Sequence, residues 1–506
     1  MIFCSYVFLC FFLPVVLVAH TLFKNTKVRN ALLILASLVF YAYGEPVFVI
    51  LLLISVFLNY IFGLLVGKVK TPAFLSGVFL NQPLQASSGP TGSIPDGIKP
   101  KEKGKKPALA AAVIINIGFL FVFKYLGFFL SQLGLLLPKA GIPQTDLRLP
   151  IGISFYTFQA LSYVTDVYRG RVAAQKSFFK VLLYISFFPQ LIAGPIVIYH
   201  DIETMIDERS VTAEKIKNGI FRFMKGLCKK ILIANVMAKA ADTIFVLEGS
   251  EFGLLSAWVG SLAYIMQIYF DFSGYSDMAI GLGRMFGFEF LENFNHPYIA
   301  GSVRDFWRRW HISLSSWFRD YLYIPLGGNR KGKKRAMLNR YIVFACTGIW
   351  HGANWTFLIW GLWHGTITVI EGLLEKKPDG EHEKKLPAII FGHVYTMLAV
   401  IIGFCMFRAD TLSQGFGAIK AMFGFGAKGG IGYVTALEFL SPYYLFIFAL
   451  AVFFATDLPT KFFAKLKERR AAAYDIMAKL ACIISLILCY LSLAGESYNP
   501  FIYFRF

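Results

Sequence analysis

The fold class of this chain is decided by residues 341–373, YIVFACTGIWHGANWTFLIWGLWHGTITVIEGL. The stretch contains no lysine or arginine and has the composition of a membrane segment. As one straight helix it would reach about 50 Å, well beyond a hydrocarbon core of about 30 Å. We therefore expect a break at HGAN, residues 351–354, with the chain entering the membrane and returning. A return also places the later basic run, residues 461–470, on the cytoplasmic side.

The composition of the whole chain agrees with a membrane protein. Of its 506 residues, 57% are hydrophobic and 16% are charged, whereas soluble proteins have about 25% charged residues. Lipid must cover much of the surface, which excludes a soluble globular enzyme. We predict an all-α, polytopic integral membrane protein with about 10–13 membrane helices plus re-entrant or cavity-lining segments. It should form a single membrane-embedded domain over residues 1–506.

The charge balance is basic, with 50 lysines and arginines against 30 carboxylates and a formal net charge of +20. In a soluble protein this excess would suggest a nucleic-acid partner. Basic loops between apolar spans produce the same excess through the positive-inside rule and contact anionic membrane lipid, so we expect no nucleic acid. The strongest cytoplasmic marker is the region 301–340, whose basic side chains are Arg304, Arg308, Arg309, Arg319, Arg330, Lys331, Lys333, Lys334, Arg335 and Arg340.

The segments before this region differ in regularity. Residues 31–43 and 47–67, joined by a Gly-Glu-Pro turn, predict a membrane hairpin. Residues 81–107 are rich in proline, glycine and serine and then in lysine, which predicts a flexible cytoplasmic loop. Residues 108–137 exceed the bilayer thickness and include Lys124, so we expect this segment to tilt, break or snorkel.

Two further apolar segments, residues 149–164 and 178–199, are interrupted by glycine, serine, glutamine or proline. Non-helical backbone at membrane depth persists only where protein or a water-filled cavity satisfies its polar groups. The two segments are therefore either re-entrant and cavity-lining, or ordinary kinked helices.

Two of the eight histidines have a context that indicates function. His351 lies at the expected break, and an ionisable group at that depth is costly and is by default a functional hypothesis. We expect its ring in a water-filled passage reachable from both aqueous faces. His311 lies in residues 302–330, SVRDFWRRWHISLSSWFRDYLYIPLGGNR, where aromatic residues recur on one face of a predicted helix and Arg308 on the other. Such a stripe suits packing as well as a site.

Two acidic residues lie at membrane depth, Asp271 and Asp277 in QIYFDFSGYSDMAIGLG. They either orient a catalytic imidazole or pair with arginines of the 304–319 helix, or they are helix N-caps in a broken segment. The loop GGNRK, residues 327–331, is a candidate phosphate site through its backbone N–H groups and its charge.

The chemistry open to a buried imidazole is general-base catalysis. It can take a proton from a hydroxyl that attacks an activated acyl group and return it to the leaving thiol. The sequence has no GxSxG elbow, which argues against covalent catalysis, and no HExxH or paired CxxC, so metal dependence has no support.

One known family shares a set of motifs with this chain: LPIGISFYTFQALSYVTDVYRG, ISFFPQLIAGPI, YFDFSGYSDMAIGLG, NFNHPY, FWRRWHISLSSWFRDYLYIPLGGNR, IWHGANWTFLIWGLWHG, MFRAD and PFIYFRF. The chain resembles the membrane-bound O-acyltransferases, in particular their alginate O-acetyltransferase branch. The resemblance implies a multi-helix fold with a central funnel or tunnel and a catalytic core over residues 149–409. It implies that His351 is the essential histidine and that His311 is a second important one.

Further residues are candidates beside the two histidines, from their charge or their position in the sequence. Asp271, Asp277, Arg308, Trp350 and Asn354 are expected to support the two histidines. The expected donor-binding residues are Arg330, Lys331, Lys333, Lys334 and Arg335.

The resemblance implies a substrate, a location and partners. Acetyl-CoA would be the acyl donor, with no bound cofactor. The protein would be a multi-pass protein of a bacterial cytoplasmic (inner) membrane and would acetylate an extracytoplasmic polysaccharide. A separate extracytoplasmic protein of the SGNH type would assist.

Two alternatives remain open. One is D-alanyl transfer to teichoic acid from a carrier-protein thioester, whose family branch resembles the C-terminal third less well. The other is a transporter of an anionic or acylated substrate, because broken helices with intramembrane ionisable groups also suit transport. Inverted halves would support a transporter, and none is found in the sequence.

Overall fold

The structure is a computed structural model that describes residues 1–67, 105–145, 147–374 and 386–495. Every regular element in these ranges is helical, which confirms the predicted all-α class. The chain divides into two compact units. The first comprises Met1–Ile192, Ile196–Val211 and Phe286–Phe290, and the second comprises Ala193–Pro195, Thr212–Met285 and Leu291–Phe506.

The first unit has nine α-helices in the part of the chain that the structure describes. They are α1 (Leu13–Leu22), α2 (Thr26–Gly44), α3 (Phe48–Gly67), α4 (Lys105–Leu120), α5 (Leu126–Leu136), α6 (Ile153–Arg169), α7 (Phe178–Ser186), α8 (Phe188–Leu191) and α9 (Tyr199–Asp207). A π-helical turn precedes α1, and another joins α4 to α5.

The predicted hairpin is confirmed as α2 and α3. The side chain of Asn25 caps α2 by accepting a hydrogen bond from the backbone N–H of Lys27. Farther along, Asn59 of α3 and Asn116 of α4 exchange two buried amide hydrogen bonds of 3.0 and 2.8 Å. Such paired amides hold apolar helices together, because an unpaired amide in hydrocarbon is costly.

The long apolar segment after the hairpin is interrupted, as predicted. A π-helical turn, Phe121–Tyr125, separates α4 from α5, and within it Lys124 Nζ lies 3.4 Å from Ser154 Oγ. The predicted loop 81–107 lies outside the described residues except for residues 105–107, which belong to the first turn of α4.

The two segments with interrupting residues behave differently. The first forms α6, which is continuous from Ile153 to Arg169 and almost wholly buried, so it is an ordinary helix. The second breaks into α7 and α8 and continues without regular structure to Ile198. Prolines in this second segment remove helical N–H donors, whereas the first has none within its helix.

The second unit has thirteen α-helices within the described ranges. They are α10 (Ala213–Cys228), α11 (Asn235–Ile244), α12 (Leu254–Met285), α13 (Val303–Arg309), α14 (Ile312–Phe318), α15 (Lys333–His351), α16 (Trp355–Leu374), α17 (Leu386–Arg408), α18 (Leu412–Met422), α19 (Ile431–Glu438), α20 (Pro442–Ala455), α21 (Leu458–Arg469) and α22 (Ala471–Gly495).

Helices α10 and α12 cross at very short distance through four glycines. A Cβ on Gly219 would come within 2.6 Å of the Gly281 carbonyl oxygen, and one on Gly226 would collide with the carbonyl of Gly274. Each helix thus contributes two glycines seven residues apart, and their pairing order makes the helices antiparallel. Small residues permit this close backbone approach. The crossing fixes the position of α12, which carries several residues of the site.

The expected break in residues 341–373 is confirmed. Helix α15 ends at His351 and α16 begins at Trp355, so residues 352–354 form the turn. The two helices run antiparallel, and a Cβ on Gly348 would collide with the carbonyl of Phe357.

The depth of His351 follows from the length of α15. Arg340 lies eleven residues before it in the same helix, which corresponds to a rise of about 16 Å. That is about half of a hydrocarbon core of ~30 Å. If Arg340 lies at the membrane surface, His351 lies near the middle of the bilayer.

The helices of the described ranges include several that can cross a membrane. By length and hydropathy these are α3, the α4–α5 segment, α16, α17 and α22, and the pair α19–α20, bent by 72°, makes a possible sixth. The chain is therefore an α-helical, polytopic membrane protein. The larger count of about 10–13 includes helices such as α12, whose buried polar residues lower its hydropathy, and it stays a prediction.

Candidate active site

His351 is the last residue of α15, and the chain leaves the helix at Gly352 in an extended conformation. Its side chain is only 7% exposed. Three aromatic rings surround the imidazole, with ring centroids 4.8 Å away for Trp350, 5.2 Å for Trp360 and 5.1 Å for Phe407.

A small cavity adjoins this imidazole. Its volume is about 10 Å³, close to the room that one water needs. The residues around it are Ile268, Phe272, Trp310, His351, Trp360, Phe404 and Phe407. The expected water-filled passage reachable from both aqueous faces is therefore not open at this point, because aromatic rings fill the space beside the histidine.

His311 occupies a break between two short helices, which corrects the prediction of one continuous helix. Helix α13 ends at Arg309 and α14 begins at Ile312, and His311 between them has φ of 45°. A non-glycine residue in this left-handed region is uncommon and often belongs to a functional site. Within the described residues only His296 shares this property.

The ring of His311 is held by a polar partner and by aromatic contacts. Its Nδ1 lies 3.2 Å from Asn293 Oδ1, which also accepts a hydrogen bond from the Ser313 hydroxyl. The centroid of the ring lies 4.6 Å from Phe272 and 6.2 Å from Trp350. Since Trp350 also contacts His351, one indole connects the two histidines.

A pocket of about 270 Å³ opens beside helices α13, α14 and α15. Four arginines line it: Arg304, Arg308, Arg319 and Arg340. The remaining lining residues are Trp307, Leu314, Ser315, Phe318, Tyr323, Val343, Phe344, Thr347 and Thr368. An excess of guanidinium groups in a concave site favours an anionic, phosphate-bearing ligand.

The arginine pocket approaches His351 along two routes. Thr347 lies one helical turn before His351 in α15. Trp307 lies with its ring centroid 5.6 Å from Trp360, which in turn contacts His351. Two indole rings in succession, those of Trp307 and Trp360, therefore lie between the pocket and the imidazole.

None of the predicted donor-binding residues lines this pocket, but one predicted supporting residue does. Arg308, expected as a supporting residue, lines it. The predicted donor-binding set does not: Arg330, Lys331, Lys333, Lys334 and Arg335 are absent from its wall. All of these but the half-buried Arg335 are exposed.

The loop 327–331 also departs from its predicted role as a phosphate site. Its backbone N–H groups are used internally, because Gly327 donates to Ile324, Gly328 to Tyr323 and Arg330 to Gly327. No nest of open N–H groups therefore remains at these three positions.

The two aspartates at membrane depth form ion pairs, but their cationic partners do not lie in the expected helix. Asp271 forms a buried ion pair of 2.9 Å with Lys230. Asp277 pairs with Arg222 at 2.5 Å and with Lys229 at 2.8 Å. Both lie inside the continuous helix α12, so the N-cap interpretation is wrong. Their partners belong to α10 and the π-helical turn after it, not to the 304–319 region.

Asn354 stabilises the turn that carries His351. Its amide donates to the backbone carbonyl of Asp410 at 2.8 Å, and its Oδ1 accepts from the N–H of Thr356 at 3.2 Å. It thus ties the beginning of α16 to the end of α17 and has a positioning role.

A stripe of buried polar side chains runs along α16. Thr356, Trp360, His364 and Thr368 are spaced four residues apart and so lie on one helix face. Their side-chain polar atoms have no hydrogen-bond partner among the described residues. Such a row is uncommon, because most buried polar groups are hydrogen-bonded. One end, Thr368, lines the arginine pocket, and Trp360 lines the His351 cavity.

Sequence reasoning missed several of these residues. Asn293 lies in the quoted motif NFNHPY, and Trp360 and His364 lie in the quoted motif around His351, so a signal for them existed. Phe407 of α17 lies in the quoted motif MFRAD, whereas Phe404 of the same helix lies in none of the quoted motifs, and no local pattern distinguishes it from a packing residue. In the ranges that the structure describes, no group of three or more His, Cys, Asp or Glu side chains could hold a metal ion.

The fold and the site together define a polytopic helical membrane protein in which a buried histidine, at the break of a hairpin, stands beside a cationic pocket. The family model for MBOAT, the membrane-bound O-acyltransferase family, matches residues 144–376. The similarity to members of this family extends over the whole chain. The chain belongs to the membrane-bound O-acyltransferases and is an O-acyltransferase.

Three relatives illustrate the similarity. Proteins of Azotobacter vinelandii and Pseudomonas putida, both named probable alginate O-acetylase AlgI, are 37% and 36% identical over 537 and 524 aligned residues, which cover all of each chain. The peptidoglycan O-acetyltransferase of Helicobacter pylori is 34% identical over 448 residues, which cover 82% of this chain and 79% of the relative. All three relatives are bacterial.

Proposed function

We propose that this protein transfers an acetyl group from cytoplasmic acetyl-CoA across a bacterial cytoplasmic membrane, for O-acetylation of an extracytoplasmic polysaccharide. The names of the relatives support the group and the acceptor class, since they are an alginate O-acetylase and a peptidoglycan O-acetyltransferase. The observation that carries the proposal is the position of His351, which only two indole rings, Trp307 and Trp360, separate from the arginine pocket.

The arginine pocket suits the donor. Guanidinium groups bind phosphates through charge-assisted hydrogen bonds, and acetyl-CoA carries phosphates far from its thioester. Arg340 and His351 lie on one helix about 16 Å apart, so phosphates held near Arg340 leave room for an extended arm that reaches the imidazole.

The polar stripe on α16 suits the arm of that donor. Thr368 and His364 offer donor and acceptor atoms, and Trp360 and Trp307 offer indole N–H groups. An arm that contains amides can pair with these groups as it passes from the pocket to the histidine. The contact between Trp307 and Trp360 has to open for the thioester to arrive, because these rings fill the way.

In the proposed reaction His351 acts as general base. It takes the proton of the acceptor hydroxyl while the oxygen attacks the acetyl carbonyl carbon. The new C–O bond forms, the C–S bond breaks, and the proton passes from the imidazolium to the leaving thiolate. The products are an acetyl ester and free CoA thiol, so atoms and charges balance. His311, held by Asn293 on the far side of Trp350, is proposed to support this site.

The acceptor is either a sugar hydroxyl or a hydroxyl of an extracytoplasmic SGNH-type partner that passes the acetyl group on. The aromatic surroundings of His351 favour acetyl over the D-alanyl alternative, because the cavity lining contains no carboxylate that would pair with an ammonium group.

The test uses the full-length protein in liposomes, with acetyl-CoA as donor and alginate or peptidoglycan fragments as acceptors. Release of CoA thiol and acetylation of the polymer are both measured. We expect His351→Ala to lower turnover by about 100- to 10,000-fold, the usual contribution of a general base. The matched control is His200→Ala, which changes an exposed histidine of the first unit and should leave turnover unchanged.

Three outcomes would contradict the proposal. Full turnover by a folded His351→Ala protein would refute the general-base role. Transfer from a carrier-protein thioester but not from acetyl-CoA would favour D-alanyl transfer. Passage of intact acetyl-CoA across the liposome membrane, with no thiol released, would favour a transporter.

A further inference from the structure

The space next to His351 is small and is lined mainly by packed aromatic rings. The cavity of about 10 Å³ is the room that remains beside the imidazole for the acyl group of a donor. A methyl group has about the size of a water molecule, so the methyl of an acetyl group by itself fills this space. Each further carbon of a longer acyl chain would have to displace an aromatic ring.

These rings pack against one another. The ring of Phe407 lies 4.9 Å from that of Trp360 and 5.9 Å from that of Phe404, and the latter lies 5.2 Å from Trp310. Trp360, Phe404 and Phe407 are at most 2% exposed. Interiors of this density accept extra atoms only by strain, because side chains already occupy their preferred rotamers.

The cavity is also uncharged. Apart from His351, its lining consists of Ile268 and five aromatic residues. Its further polar side-chain groups are the indole N–H groups of Trp310 and Trp360, which can only donate a hydrogen bond and so offer nothing to an ammonium group. Burying such a cation without a partner carries a large penalty.

We infer that the aromatic cage formed by Trp360, Phe404 and Phe407 restricts this enzyme to acyl groups of two carbons without charge. The inference rests on the proposed function, since it concerns the acyl group that His351 meets. Among the three residues, Phe404 is the one whose replacement should change the limit on acyl-chain length with the least effect on catalysis by His351. It forms the wall of the cavity and contacts Trp310 and Phe407, whereas Trp360 and Phe407 contact the imidazole directly.

The experiment compares kcat/KM for acetyl-CoA, propionyl-CoA, butyryl-CoA and alanyl-CoA with the full-length enzyme in liposomes. Alanyl and propionyl have the same number of carbons and differ by the ammonium group. For the wild type we expect a loss of about 10- to 200-fold from acetyl to propionyl, the usual effect of one methylene in a tight pocket, and a larger loss for alanyl.

Phe404→Leu should relax the length limit but not the charge limit. We expect the propionyl-to-acetyl ratio to rise by about tenfold or more, while alanyl-CoA stays a poor donor. Ile268→Ala, on another wall of the cavity, should shift the ratio in the same direction and serves if the first variant is unstable. The matched control is Phe252→Leu, the same change at an equally buried position away from the cavity, which should leave all ratios unchanged.

The outcomes separate this inference from the function on which it rests. A wild type that releases thiol from no acyl-CoA at all refutes both. A wild type that uses acetyl-CoA and butyryl-CoA equally well leaves the proposed function intact and overturns the cage. The cage is also overturned if neither Phe404→Leu nor Ile268→Ala, both correctly folded, changes the ratios more than Phe252→Leu does.

Discussion

Replacing Arg340 by glutamine tests whether the arginine pocket binds the donor. Arg340 lies in α15, on the helix that carries His351, and lines the pocket. A hydrogen bond to a charged group contributes about 1.5–3 kcal/mol. The pocket is open to solvent on one side and Arg340 is only partly buried, so the lower end applies. A loss of about 1.5 kcal/mol corresponds to roughly a tenfold weaker interaction.

The effect should appear in KM and leave kcat nearly unchanged. Phosphates held in the pocket lie far from the reacting carbonyl, so their contacts are equally strong in the ground state and the transition state. Removal of such uniform binding raises KM alone. The same contacts should weaken with ionic strength, because the site is partly exposed. Arg319 should matter less than Arg340, since its guanidinium already pairs with Asp320 at 2.7 Å.

The assay is the initial rate of thiol release as a function of acetyl-CoA concentration, at two ionic strengths. Lys334→Gln is the control, because it removes an exposed cation at the beginning of the same helix, outside the pocket. If Arg340→Gln and Arg308→Gln both leave KM unchanged at low salt, the donor phosphates do not bind there. A fall in kcat at constant KM would instead assign Arg340 to the chemistry.

Three further predictions concern the scaffold of the site. Gly226→Leu should destabilise the protein by about 1–3 kcal/mol through collision with α12, whereas Gly118→Leu, into open space, should not, as measured by thermal unfolding in detergent. Lys230→Met should lower the free energy of unfolding by about 3–5 kcal/mol, because it removes the cation of the buried ion pair with Asp271. Adding Asp271→Leu should restore most of the lost stability. Asn293→Ala should lower kcat at constant KM, because it releases Nδ1 of the second histidine, and Asn293→Asp, which keeps an acceptor, should recover part of the rate.

The features that were predicted correctly depend on the length and hydropathy of single segments. The break at residues 352–354 follows from a segment too long for one span and with a glycine where the chain turns. The same reasoning located the hairpin of α2 and α3 and the interruption at Lys124. These features depend on bilayer thickness and local composition, both of which can be read from one sequence.

The part predicted incorrectly depends on contacts between distant residues. The aspartates of α12 pair with Lys230 and Arg222, and nothing near them in sequence indicates which cations they meet. The arginine pocket takes its arginines from three separate elements, while the basic loop predicted as a phosphate site bonds three of its N–H groups internally. Charge density in a sequence marks the side of the membrane but not which cations face one another.

The break at His311 was missed because the aromatic spacing on both sides of it is helical. A continuous helix through residues 303–318 would satisfy that spacing and keep the backbone unstrained. The observed φ of 45° at His311 instead costs of the order of 1–3 kcal/mol for a residue with a side chain. Asn293 offsets part of this cost, since its Oδ1 accepts from Ser313 and its backbone carbonyl accepts from the N–H of Ile312. A fold selected for stability alone would keep the helix. The strain is consistent with selection for the position of the imidazole, close to the indole that it shares with His351.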